Sequence, residues 1–192
     1  MSAVLDVSRP TPLRLLGFMF TAVGGLLIAL GAISDWATVV PAFPTGSTSK
    51  GIDVLEGKVA LGLGIFMLVA IVAMRLARSL GARRTIALLI TASAVGALAI
   101  GVVDMVNALD RFGGYTVEKT AQQLAEASGQ SVDKVRSDLE ATIVREGSID
   151  LGLGIWFVVA GGAIGTIGGL LDLAWVGQRR LAALSADMAA AD

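Results

Sequence analysis

Long apolar runs alternate with polar segments along this chain. Four runs carry no charged residue, and they cover residues 15–33, 59–74, 85–103 and 151–171. A helix needs about 20 apolar residues to cross the roughly 30 Å hydrocarbon core of a bilayer. The second run is shorter, but Lys58 and Arg75 at its two ends can reach the interface by snorkelling. The pattern predicts four transmembrane helices, over residues 13–35, 57–77, 85–109 and 149–175.

One apolar motif occurs twice. Residues 57–66 and 147–156 share the same spacing of Gly, Leu and Ile, and each copy opens an apolar run that follows another apolar run and a polar segment. The arrangement suggests a duplication. We therefore predict an all-α integral membrane protein, with four transmembrane helices built as two hairpins, in a single membrane domain over residues 1–192.

The composition supports a membrane protein and argues against common chemistries. The chain is 55% hydrophobic and 16% charged, and it contains no Cys and no His. A thiolate nucleophile, a His general base and the usual zinc and haem ligands are therefore missing. No pair of carboxylates has a spacing that indicates acid–base catalysis. We expect no enzymatic activity, no metal and no cofactor.

The first apolar run has two interpretations. Arg9 and Arg14 precede it and small residues occur near its end, as in a secretory signal peptide. Its apolar core is longer than the 7–15 residues typical of a signal peptide, however. This length favours an uncleaved first helix, with a signal peptide as the alternative.

Basic residues give a prediction for orientation. The connection from Arg75 to Arg84 carries four Arg and no acid, whereas the bases of the two longer loops are interleaved with carboxylates. Because short basic connections stay in the cytoplasm, we expect a multi-pass plasma-membrane protein with both termini inside. The outer loops are then residues 36–56 and 110–148.

The two outer loops differ in pattern. Pro41, Pro44 and Gly46 favour an irregular or extended first loop. In the second loop, Gly113 and Gly114 are expected to end the third transmembrane helix. Two capped helices should follow, one from residue 116 and one from residue 131, with Gly129 between them. An apolar stripe predicts that they pair as a small helical hairpin, and it comprises Leu124, Val132, Val135, Leu139 and Ile143.

Part of the second outer loop resembles a bacterial helix-turn-helix. Residues 120–136 carry the spacing L-A-x-x-x-G-x-S-x-x-x-V-R of that motif. The acids of the segment offset its bases, so no cationic surface is available for a phosphate backbone. We expect no nucleic acid as a partner.

Small residues recur at four-residue spacing in the predicted helices. Gly17 and Gly25 belong to such a row in the first helix, and Gly161, Gly165 and Gly169 form one in the fourth. Such rows let helix backbones approach closely. They predict either packing within the four-helix bundle or docking against a partner protein or a second copy.

Asp104 is the one carboxylate set inside an apolar run, about a turn from the outer end of the third helix and close to Asn107. An acid within the membrane costs a few kcal/mol and is a functional candidate by default. Its roles could be proton or cation binding, or an ion pair with Arg111 or Lys58.

The four helices, the folded outer loop and the inner tails together resemble a tetraspan arrangement. Trp36 at the end of the first helix and the sequence Gly57-Lys58-Val59 at the start of the second resemble small uncharacterised actinobacterial membrane proteins. We expect a non-enzymatic accessory, scaffolding or regulatory subunit of a larger cell-envelope complex, for example a transporter. Membrane lipids and either that complex or further copies would be its partners. The alternative is a small oligomeric transporter or channel that uses Asp104.

Overall fold

The computed structural model describes residues 12–39, 48–146 and 149–191. Four of its helices are long and apolar enough to cross a membrane, and they begin at Pro12, Leu55, Leu80 and Leu153. The elements are α1 (Pro12–Ile33), β1 (Asp35–Val39), β2 (Thr48–Lys50), a 3-10 turn (Gly51–Asp53), α2 (Leu55–Leu76), α3 (Leu80–Val106), α4 (Ala108–Ser128), α5 (Val132–Glu146), β3 (Ile149–Leu151) and α6 (Leu153–Ala191). The prediction of a mainly helical chain with four such helices is confirmed.

The four long helices pack side by side as a bundle. α1 contacts α2, α2 contacts α3, and α6 lies between α3 and α1. Strand β1 follows α1, and strands β2 and β3 come before α2 and α6, so the pairing of these strands gathers three helix ends on one side. We call this side the sheet end. The opposite side holds Arg14, Arg75, Arg83 and Arg179, and we call it the arginine end.

A small antiparallel sheet closes the sheet end. Its strand order is β2-β1-β3, with Ala37 opposite Ser49 on one side and opposite Leu151 on the other. The sequence predicted a helix from residue 149, whereas the structure places a strand there and starts α6 at Leu153. The reason is tertiary: β3 pairs with β1, and the Gly152 N–H donates a 2.8 Å hydrogen bond to the Trp36 carbonyl.

The two copies of the repeated motif adopt different local structures. Residues 59–61 are helical within α2, whereas the corresponding residues 149–151 form β3. The same apolar pattern therefore folds according to its neighbours, as expected for short apolar runs that helix and strand can both accommodate. The duplication into two hairpins stays a prediction.

Helices α4 and α5 form the expected helical hairpin over the sheet end. α4 starts at Ala108, one residue after α3, so Gly113 and Gly114 lie inside a helix and do not break it. Contacts of α4 with all three strands offset the roughly 1 kcal/mol that each helical glycine costs. Gly129 ends α4 in the left-handed conformation, with φ 68°. We call α4, α5 and the sheet together the cap.

The cap has its own small core, which confirms most of the predicted stripe. Val117, Ala121 and Ala125 of α4 are buried against Val135 and Leu139 of α5. Leu124 and Val132 pack against this cluster, and the side chain of Ile143 lies outside the described part. The hairpin is therefore held by apolar burial and not by its charges.

Helix α6 is much longer than a membrane span requires. It has 39 residues, against about 20 for the hydrocarbon core. It continues without a break past residue 175, where the sequence predicted its end. Its last turns carry the exposed Leu181, Leu184 and Met188.

Candidate functional site

The glycines predicted for helix packing or docking lie inside the bundle. Gly17 faces Asp172, where an added Cβ would lie 2.6 Å from the carboxylate Oδ1. At Gly161 an added Cβ would lie 2.8 Å from the Gly24 carbonyl, and at Gly165 it would lie 2.6 Å from Met67 Cε. These glycines therefore bring α6 against α1 and α2. This is packing within the bundle, the first of the two roles predicted for them.

The remaining predicted glycines serve other pairs of helices. Gly25 faces α2, where an added Cβ would lie 3.2 Å from the Gly64 carbonyl, and Gly169 faces Thr91 of α3. The row in α1 thus divides between two neighbours, because four-residue steps drift around a helix with 3.6 residues per turn. All five glycines are occupied by contacts within this chain and are not available to a partner.

Asp104 lies in α3 and is 1% exposed. Gly101, one turn earlier, faces Val158 and Val159 of α6. Asn107 is half-buried at the junction of α3 and α4. The ion pair of Asp104 with Arg111 stays a prediction, since the Arg111 side chain lies outside the described part.

The arginine end contains a cavity of about 110 Å³ that sequence reasoning did not foresee. Arg14, Arg75 and Arg83 line it together with the buried Asp172 and Trp175. The helices converge there from four places in the chain: the start of α1, the end of α2, the start of α3 and the later part of α6. Ser79 caps α3, and the Arg83 Nε–H donates a 3.0 Å hydrogen bond to the Ala77 carbonyl, which fixes the α2–α3 connection beside the cavity.

The guanidinium groups of this cavity lie against aromatic rings. The guanidinium carbons of Arg14, Arg83 and Arg179 lie 5.1, 5.5 and 5.5 Å from the centroid of Trp175. Arg75 lies 4.2 Å from the ring centroid of Phe18. Cations within about 6 Å of an aromatic centroid are attracted by its quadrupole. The rings therefore hold several like charges close together, although the charges repel one another.

Asp172 is the acid of this site. The structure buries it against Gly17, beside Arg14 and Thr21. Sequence reasoning missed the site because its parts are distant in the chain. The available signal was the recurrence of Arg near each of the four helix ends that meet there.

The sheet end centres on Trp36, which is fully buried. Its Nε1–H donates a 2.8 Å hydrogen bond to the Gly31 carbonyl. Gly51 and Gly154 both contact the indole ring, and the Gly51 N–H donates to the Ser34 carbonyl at 3.1 Å. Trp36 thereby joins α1, the segment before α2 and the start of α6 in one contact.

In the cap, Arg136 of α5 pairs with Glu118 of α4. The Arg136 guanidinium donates a hydrogen bond to the Glu118 carboxylate, and this bond raises the pKa of Arg136. Residues 120–136, which resemble a helix-turn-helix, cover the end of α4 and the start of α5, and the buried faces of these two helices meet each other. The described residues contain no group of three or more carboxylates that could hold a metal ion.

The arginine-lined cavity and the cap are the two candidate functional features of the molecule. One concentrates positive charge at one end of the bundle, and the other displays a folded polar surface at the opposite end. Comparisons with models of protein families, with curated proteins and with solved structures found no match to the chain.

Proposed function

We propose that this chain is a non-enzymatic accessory subunit of a larger cell-envelope membrane complex, for example a transporter. It scaffolds or regulates that complex by holding the cap in a fixed position at the membrane surface. The observation that carries the proposal is the attachment of the cap to the bundle through backbone hydrogen bonds and the buried Trp36.

The way the cap is attached to the bundle favours a cap held in one fixed orientation. β1 continues from α1 with Ser34 as the single residue between them, and β3 is followed by α6 after Gly152. Hydrogen bonds from the Gly51 and Gly152 N–H groups tie the two flanking segments to the chain around β1. A surface fixed in this way suits a partner, because little conformational freedom is lost when the partner binds.

The outer faces of the bundle are the second support. Large apolar side chains point outward along all four helices, among them Phe20, Val69, Leu89 and Ile167. Such a surface suits lipid or the transmembrane helices of a partner. A partner in the membrane would use these faces, since the glycines already serve the chain's own packing.

The proposed orientation places the arginine end in the cytoplasm and the cap outside. The absence of Cys makes this testable by labelling single introduced thiols. Ser128 in the cap and Ser185 in the tail of α6 are both exposed. A membrane-impermeant maleimide on intact cells should label Ser128→Cys and not Ser185→Cys, and permeabilised cells should label both. The reverse pattern would invert the topology.

The accessory role is tested by mild-detergent affinity purification of the tagged chain, with an untagged control and mass spectrometry. Larger membrane subunits in a fixed ratio to this chain would support the proposal. Glu126 and Glu140 are exposed on the cap, whereas Arg180 is exposed at the other end. The double variant Glu126→Lys/Glu140→Lys should release these subunits, and Arg180→Glu should retain them. Recovery of the chain alone, or only with copies of itself, would overturn the accessory role.

A small oligomeric transporter or channel is the second candidate, and the burial of Asp104 in α3 is the observation in its favour. In proteoliposomes, Asp104→Asn should abolish coupled ion movement if Asp104 binds the ion. An accessory subunit would instead show no flux with either chain, and the substitution would change only its stability.

A further inference from the structure

The cavity at the arginine end has an excess of positive charge. Arg14, Arg75 and Arg83 line it, whereas Asp172 is the one acid among its described lining residues. Arg14 is repelled by Arg75, Arg83 and Arg179, and Asp172 offsets only part of that repulsion. Cations gathered in a partly buried site without matching acids call for an anion from outside the chain.

The donors of the cavity suit a phosphate group. Guanidinium groups offer planar pairs of N–H donors, which match the oxygens of a phosphate. These three guanidinium groups come from α1, α2 and α3, so they approach one space from different directions. The Trp175 Nε1–H is also buried and has no acceptor among the described residues. A bound oxyanion would supply one.

The remaining walls favour a lipid over a free ion. Leu15, Phe18 and Ile71 contribute apolar surface to the cavity. Leu15 is 51% exposed on the outer face of α1, a helix long and apolar enough to span the membrane. Arg14 is the third residue of that helix, so the cavity lies at the level where headgroups meet acyl chains. A charged pocket with an apolar side facing lipid has the two kinds of surface that a phospholipid requires.

We propose that this cavity binds a phosphate group, that of an anionic phospholipid in the adjoining leaflet. Arg14, Arg75 and Arg83 hold the phosphate oxygens. Trp175 supplies a flat support for the cations, and Leu15 and Phe18 contact the first part of an acyl chain. The bound lipid neutralises the cluster and joins the four helix ends. This role is independent of the accessory function.

The test is lipid binding to the purified full-length chain in detergent, measured by native mass spectrometry with phosphatidylglycerol and phosphatidylcholine. The cavity variant is Arg14→Gln/Arg83→Gln. The matched control is Arg78→Gln/Arg180→Gln, which removes the same charge at exposed positions of the same end. The cavity variant should bind phosphatidylglycerol roughly tenfold to a hundredfold more weakly, because two charge-assisted contacts are lost. The control should bind it as the unmodified chain does.

Circular dichroism of each variant verifies folding before the binding is compared, and Arg75→Gln serves if Arg14→Gln/Arg83→Gln does not fold. Equal affinity for the two lipids, or equal losses in cavity and control variants, would overturn the proposal. Inorganic phosphate provides the second arm. If phosphate binds with the same dependence on Arg14 and Arg83 while phosphatidylglycerol does not, the anion site stands and its lipid source is rejected.

Discussion

Each end of the bundle is built around a buried tryptophan, and the two are used in opposite ways. Trp36 at the sheet end has its indole N–H bonded to the Gly31 carbonyl and backbone packed against its ring. Trp175 at the arginine end borders a cavity, carries three guanidinium groups around its ring and has no acceptor for its N–H among the described residues. Tryptophan thus fills the core at the sheet end and stabilises a cluster of cations at the arginine end.

The two ends differ in the residues that surround each tryptophan ring: glycines at the sheet end and arginines at the other. Gly51 and Gly154 allow backbone to reach the Trp36 ring, so that end is closed by shape. At the other end, long arginine side chains surround Trp175, and they leave space that a ligand can enter. The sheet end should therefore respond to changes in volume, whereas the arginine end should respond to changes in charge.

The largest expected effect comes from truncating the two tryptophans. Trp36→Ala should lower the free energy of unfolding by about 3–5 kcal/mol, since the surrounding backbone cannot collapse into the space. Trp175→Ala should cost less, about 2 kcal/mol, because the cavity beside it already allows its neighbours to relax. Denaturant titration in detergent micelles, followed by circular dichroism, measures both. Equal losses would remove the contrast between the ends.

Backbone contact along the α1–α6 interface gives the next largest effect. At Gly24 an added Cβ would lie 2.6 Å from Gly165 Cα, whereas an added Cβ at Gly62 of α2 meets nothing within 4 Å. Gly24→Ala should therefore destabilise the chain by about 1–3 kcal/mol through overpacking. Gly62→Ala is the matched control and should be neutral or stabilise by up to about 1 kcal/mol. A similar loss for both would show that helix flexibility, and not close contact, is the cause.

Charge at the arginine end gives a smaller effect with a distinctive salt dependence. Asp172→Asn should change the free energy of unfolding by less than about 1 kcal/mol at low salt, because relief from the cost of burying the carboxylate offsets the lost attraction to Arg14. Added salt should stabilise Asp172→Asn more than the unmodified chain, because it screens the repulsion among the arginines that Asp172 otherwise offsets. Asp35→Asn, at an exposed carboxylate of the sheet end, is the control. Thermal unfolding at low and high salt would contradict the idea if Asp172→Asn showed no salt dependence beyond that of Asp35→Asn.

Much of the fold could be predicted from the sequence because each long apolar helix carries its own signal. A run of about 20 apolar residues is a local property, and so is the stripe from Leu124 to Leu139 that pairs α4 with α5. Strand β3 could not be predicted in this way. Residues 149–151 match the helical residues 59–61 in pattern, and only the pairing with β1 distinguishes them.

The candidate site was harder to predict from the sequence, because it also depends on contacts between distant parts of the chain. The sequence singled out Asp104, which α3 indeed buries, because one acid in an apolar run is visible locally. Asp172 was not a candidate from the sequence, since nothing near it in the chain shows that Arg14 approaches it. Residues 14 and 172 come together only because α6 packs against α1, and glycine rows do not specify which helices they join.

The exposed ion pair of the cap gives the smallest expected effect. It tests whether charge contributes to stability at the sheet end as it does at the arginine end. Arg136 and Glu118 join α5 to α4 at the surface, while the hairpin beneath them is held by its own apolar core. Glu118→Gln should therefore leave the unfolding temperature nearly unchanged, and salt should remove any small shift, because exposed pairs are screened. Val135→Ala, in the core below, should lower the unfolding temperature clearly at any salt concentration. If Glu118→Gln proved the more damaging change, charge would also organise the sheet end, and the two ends of the bundle would differ in shape alone.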